Sequence, residues 1–509
     1  MATKKSFLTL KTLRVVLAVC FFTLITFFFI DFADFLPIQF HRLAHLQFIP
    51  AIFWGSFVIL AFLIVLTLLF GRIYCSVICP MGVFQDIVAW LSKKINKRKK
   101  YFFSYPKNIL RTCLLGIFII SFFASINLIV SLIEPYSAFG RMAAHIFKPV
   151  YQFGNNVLEQ IFTSFGNYTF YRTEIFFDLT SFLVAIITFF TIGFFAYKNG
   201  RTFCNTVCPT GTVLGFLSKF SLFKVRIDGE KCNHCGSCGT KCKASCINSK
   251  EGKIDYGRCV DCFDCIGVCN KNALKFLPLK TTNSQSKKIN SDRRKFLTTS
   301  LFTAVSMPLL LAQSKGILKP DVRARKIPLS PPGSLSADNL QKHCTACHLC
   351  IGKCPSNVLK PAFLEYGLAG MMQPVMSFEN GFCNYNCTQC SNVCPNGALR
   401  PLTVEQKHTT QMGKVQFNRD ICVVVRNGKN CGACSEHCPT QAVKMMPYKD
   451  GLTIPQIDTT ICIGCGGCEF ICPVRPARAI FVEGNRVHQK ATVKLEEKAQ
   501  KVTIDDFGF

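Results

Sequence analysis

The chain has 509 residues, 31 of them cysteine, and a formal net charge of +30. That length exceeds one compact domain, and it excludes the small secreted scaffold that such cysteine content would otherwise indicate. The basic charge is compatible with nucleic acid, but the apolar segments assign much of it to membrane topology, so no nucleic-acid partner is expected.

Four apolar runs, residues 13–30, 49–70, 109–133 and 175–197, each approach the roughly 20 residues that cross a bilayer. They are nearly free of charge, which soluble helices seldom are over such lengths. Segment 92–107 carries seven positive residues and no acid, whereas loop 31–50 carries only Arg42. Loop 134–174 balances three basic residues with three glutamates. The positive-inside rule places 92–107, the N-terminus and the segment after 197 in the cytoplasm, and the other two loops outside. Residues 1–227 therefore read as an all-α transmembrane region of four helices. Asp31, Asp34 and Glu134 mark its boundary, where they could also take protons. His41 and His45 in the outer loop, four residues apart, read as solvated; a place near a quinone site or on a metal is the competing reading.

The helical region repeats itself. "GRIYCSVICPMG" at 71–82 and "GRTFCNTVCPTG" at 200–211 align without gaps at an offset of 129 residues. Repeated Arg and Cys pairs at matching depths imply two pseudo-equivalent halves. Cys75, Cys79, Cys204 and Cys208 are redox or metal candidates: four thiolates around one metal or cluster, or two redox dithiols. A shared helix-ending turn with inert cysteines is the competing reading. Cys20 and Cys113 read as small hydrophobes within helices.

Next come Cys232, Cys235, Cys238 and Cys242, then Cys259, Cys262, Cys265 and Cys269, both spaced C-x2-C-x2-C-x3-C. This run holds [4Fe–4S] cubes in two-cluster ferredoxins, where the fourth cysteine of each run serves the other cube. Cys232, Cys235, Cys238 and Cys269 form one expected set; Cys259, Cys262, Cys265 and Cys242 form the other. Zinc has no use for a third cysteine at the same spacing, and thiols so close cannot all pair as disulfides. Residues 228–277 are thus expected to be a cytoplasmic two-cluster domain, with Cys246 a spare thiol and 278–290 a linker.

Residues 291–313 contain "DRRKFL" followed by an apolar run. Arg293 and Arg294 fit a twin-arginine export signal, here inside the chain and doubling as a fifth transmembrane helix. The competing reading is an ordinary anchor with arginines at its cytoplasmic end. A Pro-rich spacer, 314–340, leads to a domain over 341–488 with four more cysteine groups. They are Cys344, Cys347, Cys350, Cys354; Cys383, Cys387, Cys390, Cys394; Cys422, Cys431, Cys434, Cys438; and Cys462, Cys465, Cys468, Cys472. Each ends in Cys-Pro. The second and third groups open with longer spacings. "CTACH" at 344–348 matches a c-type haem site, but Cys350 and Cys354 continue the cluster spacing, and His348 reads as a surface residue. Residues 489–509 read as a charged, mobile tail. The expected fold is thus an all-α transmembrane region, four helices plus the internal signal helix, with two α+β ferredoxin-like domains. Six [4Fe–4S] clusters are expected.

On these motifs, residues 1–277 resemble the NapH family of membrane ferredoxins, related to the NosR and CcoG types. Residues 291–482 resemble the NapG family of exported four-cluster ferredoxins. The resemblance implies a fused, multi-pass inner-membrane protein whose outer domain, residues 314–509, is periplasmic. It implies electron transfer from quinol toward a periplasmic reductase or multihaem cytochrome, of the nitrate-reductase type or similar. A CcoG-like role in redox or metal-centre assembly is the alternative. The resemblance also implies that the outer groups exchange their fourth cysteines in a nested way, first with fourth and second with third.

Overall fold

The computed structural model describes residues 2–33, 35–37, 40, 42–97, 99–278 and 325–492. The export-like segment with Arg293 and Arg294, Asp34, His41 and the tail from 493 lie outside the described residues.

Described residues up to 222 form helices and no strand. Two helices, Leu10–Ile30 and Leu179–Asn199, are long and apolar enough to cross a membrane. The other two apolar runs are each broken. Helix Phe48–Trp54 is closed by Gly55 at φ 71°, and Phe57–Phe70 starts afresh beyond it. Glycine adopts this left-handed cap without a Cβ clash, so the chain turns where hydropathy reads straight through. The third run splits into Asn108–Phe123 and Asn127–Ile133 around Ser125, φ 58°. The expected outer loop 134–174 is itself largely helical. Pro135–Met142 is capped by Glu134, continues through a π-helical turn Ala143–Phe147, and ends as Lys148–Ser164.

Each repeat builds the same device. Phe57–Phe70 and Leu179–Asn199 end on Gly71 and Gly200, both at φ 72°. Five-residue helices Ile73–Val77 and Thr202–Thr206 follow. Cys79 and Cys208 then cap helices Pro80–Ile95 and Pro209–Leu217, with proline in the first turn, where its missing N–H costs nothing.

The first cysteine-rich unit begins earlier than position 228. Strand Phe223–Ile227 pairs antiparallel with Leu274–Pro278 and closes the unit. The second is built on three antiparallel pairs: Leu359–Pro361 with Pro374–Met376, Thr410–Phe417 with Ile480–Lys490, and Val443–Pro447 with Thr453–Ile457. The described part of the expected spacer belongs to this unit. Arg325 Nε donates to Val482 O at 2.8 Å and its Nη2 pairs with Glu469 at 2.7 Å, while Leu329 and Ser330 are fully buried.

The two units grip opposite ends of one helix. In Ala2–Ile30, Lys11 pairs with Asp264 of the first unit at 2.7 Å. Asp31, just past the other end, pairs with Lys353 of the second at 2.9 Å. Twenty residues at 1.5 Å each separate these anchors by about 30 Å, one hydrocarbon core.

Candidate iron–sulfur sites and the paired cysteine motifs

The cysteine loops share a backbone shape. Residues on both sides of the second cysteine have positive φ in four groups: His234 and Gly236, Asp261 and Phe263, Ala346 and His348, Gly464 and Gly466. Five of these eight are not glycine, and each pays for a conformation that L-residues avoid. The alternation curls the chain so that three cysteines and several N–H groups face one centre, as an anionic centre requires. The two groups with longer first spacings lack this alternation, so their inserted residues change the entry to the loop.

Neighbouring thiols show how the groups combine. Cys232, Cys235, Cys238 and Cys269 line one cavity, and Cys265 lies with Cys259, Cys262 and Cys242. This is the exchange expected for the first unit. In the second unit the nested exchange is overturned. Cys350 lies with Cys344, Cys347 and Cys394. Cys354 joins Cys383, Cys387 and Cys390 around a cavity. Cys468 lies with Cys462, Cys465 and Cys438, and Cys472 joins Cys422, Cys431 and Cys434. First therefore exchanges with second, and third with fourth. Each fourth cysteine crosses only to the adjacent group in the chain, the shorter reach.

The donor sets suit cubes. Among the described residues no three His, Cys, Asp or Glu side chains are close enough to share one metal ion, and a cube spreads its thiolates more widely than a tetrahedral ion does. Backbone N–H groups already point at the sulfurs. Ala442 N donates to Cys438 Sγ at 3.1 Å, Ala273 N to Cys269 Sγ at 3.3 Å, and Leu399 N to Cys394 Sγ at 3.4 Å. Buried Lys407 donates to the carbonyls of Asn384 and Cys387, placing a cation beside the second outer foursome. No motif marks this lysine; its one sequence signal is the Thr403–Gln406 capping box that fixes its short helix.

The foursomes of the second unit form a series. The one with Cys394 faces the helices and shares its two groups with the one holding Cys383. Cys383 N in turn donates to Cys465 O at 2.9 Å, leading to the third, which shares its groups with the fourth. At the helix end, Ser137 Oγ meets Thr345 Oγ1 at 2.8 Å, and Arg141 Nη1 donates to Ala346 O at 3.2 Å. His348 is buried rather than on the surface. Its Nε2–H donates to Met372 O at 2.9 Å, and its Nδ1 accepts from His145 Nε2 at 2.6 Å. Both ring nitrogens are thus engaged, which leaves none to ligate a haem at "CTACH". Burial pushes His348 well below the usual imidazole range and His145 down to about 4, so the pair is neutral at pH 7.

Cys75, Cys79, Cys204 and Cys208 are all buried and lie together. The two motif arginines cross over. Arg201 Nη1 donates to Cys75 O at 2.6 Å, and Arg72 Nη2 donates to Cys204 O at 3.1 Å. Arg72 Nη2 also approaches Cys75 Sγ at 3.8 Å, and Gln85 Nε2 donates to Cys204 Sγ at 3.1 Å. The last motif glycine makes room for the crossing. A Cβ on Gly82 would stand 2.0 Å from Cys75 O and 2.7 Å from Arg201 Nη1. On Gly211 it would stand 2.2 Å from Cys204 O and 2.8 Å from Arg72 Nη2. Two guanidinium groups beside four sulfurs stabilise negative charge there. The site adjoins the first cysteine-rich unit, since Arg72 Nη1 donates to Gly257 O at 3.2 Å.

Sequence reasoning missed Asp86, which binds Arg14, Arg201 at 2.7 Å and Lys243 at 2.9 Å. It ties the N-terminal helix, the second motif and the first cysteine-rich unit together. Its signal is being the lone acid in 71–107. Cys246 is not merely spare, for its sulfur lies 3.5 Å from that of Cys242. Cys20 is exposed on its helix and Cys113 is half-buried.

Comparison with known proteins agrees with this geometry. The model of a 4Fe–4S binding domain matches residues 52–98 and 180–228, the two repeats, and a 4Fe–4S dicluster domain matches residues 429–475. The ferredoxin-type protein NapF of Escherichia coli (strain K12) is 28% identical over 174 residues, 34% of this chain and 98% of that protein. The ferredoxin-type protein NapG of the same organism is 27% identical over 198 residues, 37% of this chain and 84% of that one. The methylamine utilization ferredoxin-type protein MauM of Methylobacillus flagellatus is 32% identical over 167 residues, 31% of this chain and 70% of that protein. No solved structure matches the chain. With that cysteine geometry and that coverage of MauM, the chain belongs to the family of ferredoxin-type 4Fe–4S electron-transfer proteins.

Proposed function

We propose that the chain is a membrane-bound polyferredoxin that takes electrons from quinol and passes them outward to a periplasmic reductase or multihaem cytochrome. In this reading residues 1–222 cross the membrane, 223–278 face the cytoplasm, and the unit from 325 onward is periplasmic. The six cysteine foursomes hold six [4Fe–4S] clusters, and Cys75, Cys79, Cys204 and Cys208 form a further redox site at the cytoplasmic end.

The observation that carries the reading is the series of outer foursomes. It starts against the helix ends at Cys344, Cys347, Cys350 and Cys394, and finishes at Cys422, Cys431, Cys434 and Cys472. Residues 426–430 beside that last set are exposed, so an acceptor can reach it. The anchoring of the two units to opposite ends of Ala2–Ile30 supports a membrane between them. The chain's own contribution is to space, bury and hydrogen-bond its centres; clusters, when bound, supply one-electron chemistry.

The test is anaerobic addition of menadiol to the purified protein, with electron paramagnetic resonance of the clusters. Appearance of reduced-cluster signals supports the reading. Signals that appear with dithionite but never with menadiol would remove quinol from it.

A further inference from the structure

Between helix Ala2–Ile30, Phe40, residues 43–46 and the start of Phe57–Phe70 lies an open, largely apolar cavity of about 670 Å³. Its walls include Phe21, Leu24, Leu43 and Ile59, and its polar groups are His45 and Ser56. Phe57 and Val58, just beside it, are among the most exposed apolar residues of the chain, at 84% and 81%. Such a surface belongs against lipid.

The wall of this cavity reaches the turn that follows Cys394. The His45 ring approaches the backbone of Pro395, the residue after Cys394. Trp54, which stacks edge-on with His45 at 4.9 Å, packs on the same turn. A Cβ on Gly397 would stand 3.0 Å from the Trp54 ring. Burial holds the His45 imidazole below its usual range, and a neutral imidazole carries one acceptor nitrogen.

We infer that this cavity is the hydroquinone-binding site of the protein, with the ring between Trp54 and Leu24, a hydroxyl on His45, and the isoprenoid tail leaving toward lipid past Phe57. This rests on the quinol reading above and gives it a location. An occupant with a polar head, an aromatic ring and an apolar tail matches a cavity that is polar at one end and open on a lipid-facing side. Oxidation of hydroquinone to quinone breaks two O–H bonds and releases two electrons and two protons. Cys344, Cys347, Cys350 and Cys394 would hold the centre nearest the cavity, and an oxidised [4Fe–4S] cluster bound there would supply the one-electron acceptor. The protons leave through the His45 acceptor nitrogen to the aqueous loop.

The test uses the full-length, cluster-loaded protein and the variants Leu24→Trp, which fills the cavity, and Ile187→Trp, which adds the same bulk at an exposed position outside the cavity wall. Cluster reduction by menadiol is followed by electron paramagnetic resonance, and an azido-menadione photolabel is mapped by peptide. The expected result is a loss of at least tenfold in the menadiol rate for Leu24→Trp, with iron content and dithionite-reduced spectra unchanged and Ile187→Trp near wild type. Photolabel should fall on 20–24 and 43–59 in wild type and vanish from them in Leu24→Trp. A wild-type rate in Leu24→Trp, with label elsewhere, overturns the site but leaves the quinol reading. Labelling displaced by phosphatidylglycerol and not by menadione makes the cavity a lipid site and overturns the inference. A wild-type protein that menadiol cannot reduce overturns both.

Discussion

The docking of the outer unit depends on a buried ion pair, and removing one partner should loosen it. Asp31 and Lys353 side chains are 0% and 1% exposed, 2.9 Å apart. The carboxylate also accepts from Phe35 N at 3.2 Å and Leu36 N at 3.3 Å. Asp31→Asn keeps the shape and one of those two backbone contacts, puts an NH2 where Oδ2 accepts from Leu36 N and Lys353 Nζ, and removes the charge that Asp31 sets against the buried ammonium. Breaking such a pair costs about 3–5 kcal/mol, or roughly 10² to 10³·⁵ in the docking equilibrium. The contacts Ser137–Thr345, Arg141–Ala346 and His145–His348 remain, so the unit should open more often rather than detach. Hydrogen exchange of backbone amides 344–354 reads that opening, and should accelerate by about two orders of magnitude. The double variant Asp31→Leu, Lys353→Met removes both charges and should recover most of the protection. The pH dependence has a definite sign. Burial raises the Asp31 carboxyl, but Lys353 and the two N–H groups outweigh it and hold it below its ordinary value. A lowered folded value contributes stability above the unfolded carboxyl range, near pH 4, that is lost as pH falls through the folded value. Protection should therefore hold from neutral to about pH 4 and decline below it. Exchange at 344–354 that is the same in Asp31→Asn and wild type would refute the docking, and with it the placement of the two units at opposite ends of one helix.

Anaerobically purified protein should carry about 24 iron atoms per chain if six cubes are bound; a value near 8 with zinc present would remove clusters from the outer unit. Cys394→Ala should abolish hydrogen-exchange protection of 344–350 and Cys472→Ala should not, whereas nested exchange requires the reverse. Gly82→Ala and Gly211→Ala should each destabilise by at least about 2 kcal/mol, because backbone carbonyls and the crossing arginines must shift. Gly116→Ala, with open space around it, should be neutral or slightly stabilising; equal melting of all three variants would contradict the crossed packing. The double variant Arg293→Lys, Arg294→Lys keeps both charges but not guanidinium geometry. Protease added to spheroplasts should then fail to reach the C-terminal unit, and unchanged cleavage would make the segment an ordinary anchor.

The sequence by itself determined the chemistry. Cysteine spacing named the cluster-binding loops, since a thiolate run at C-x2-C-x2-C-x3-C has few other uses. The 129-residue repeat picked out Cys75, Cys79, Cys204 and Cys208, and hydropathy found the apolar segments. What hydropathy could not see were the breaks at Gly55 and Ser125, because transfer free energy sums over residues and is blind to a single left-handed turn. Spacing likewise could not choose among exchange patterns, since each group presents the same fourth cysteine to any neighbour within reach. Only the tertiary structure decided that Cys394 and Cys354 cross between the first two groups, and Cys472 and Cys438 between the last two. The same holds for Asp86, Lys407 and His348. Their partners lie tens to hundreds of residues away, and a buried charge or imidazole acquires its role from the groups that satisfy it, which no local pattern records. His45 is the clearest case: a histidine in a loop gains meaning only when folding sets it in a cavity wall beside Pro395.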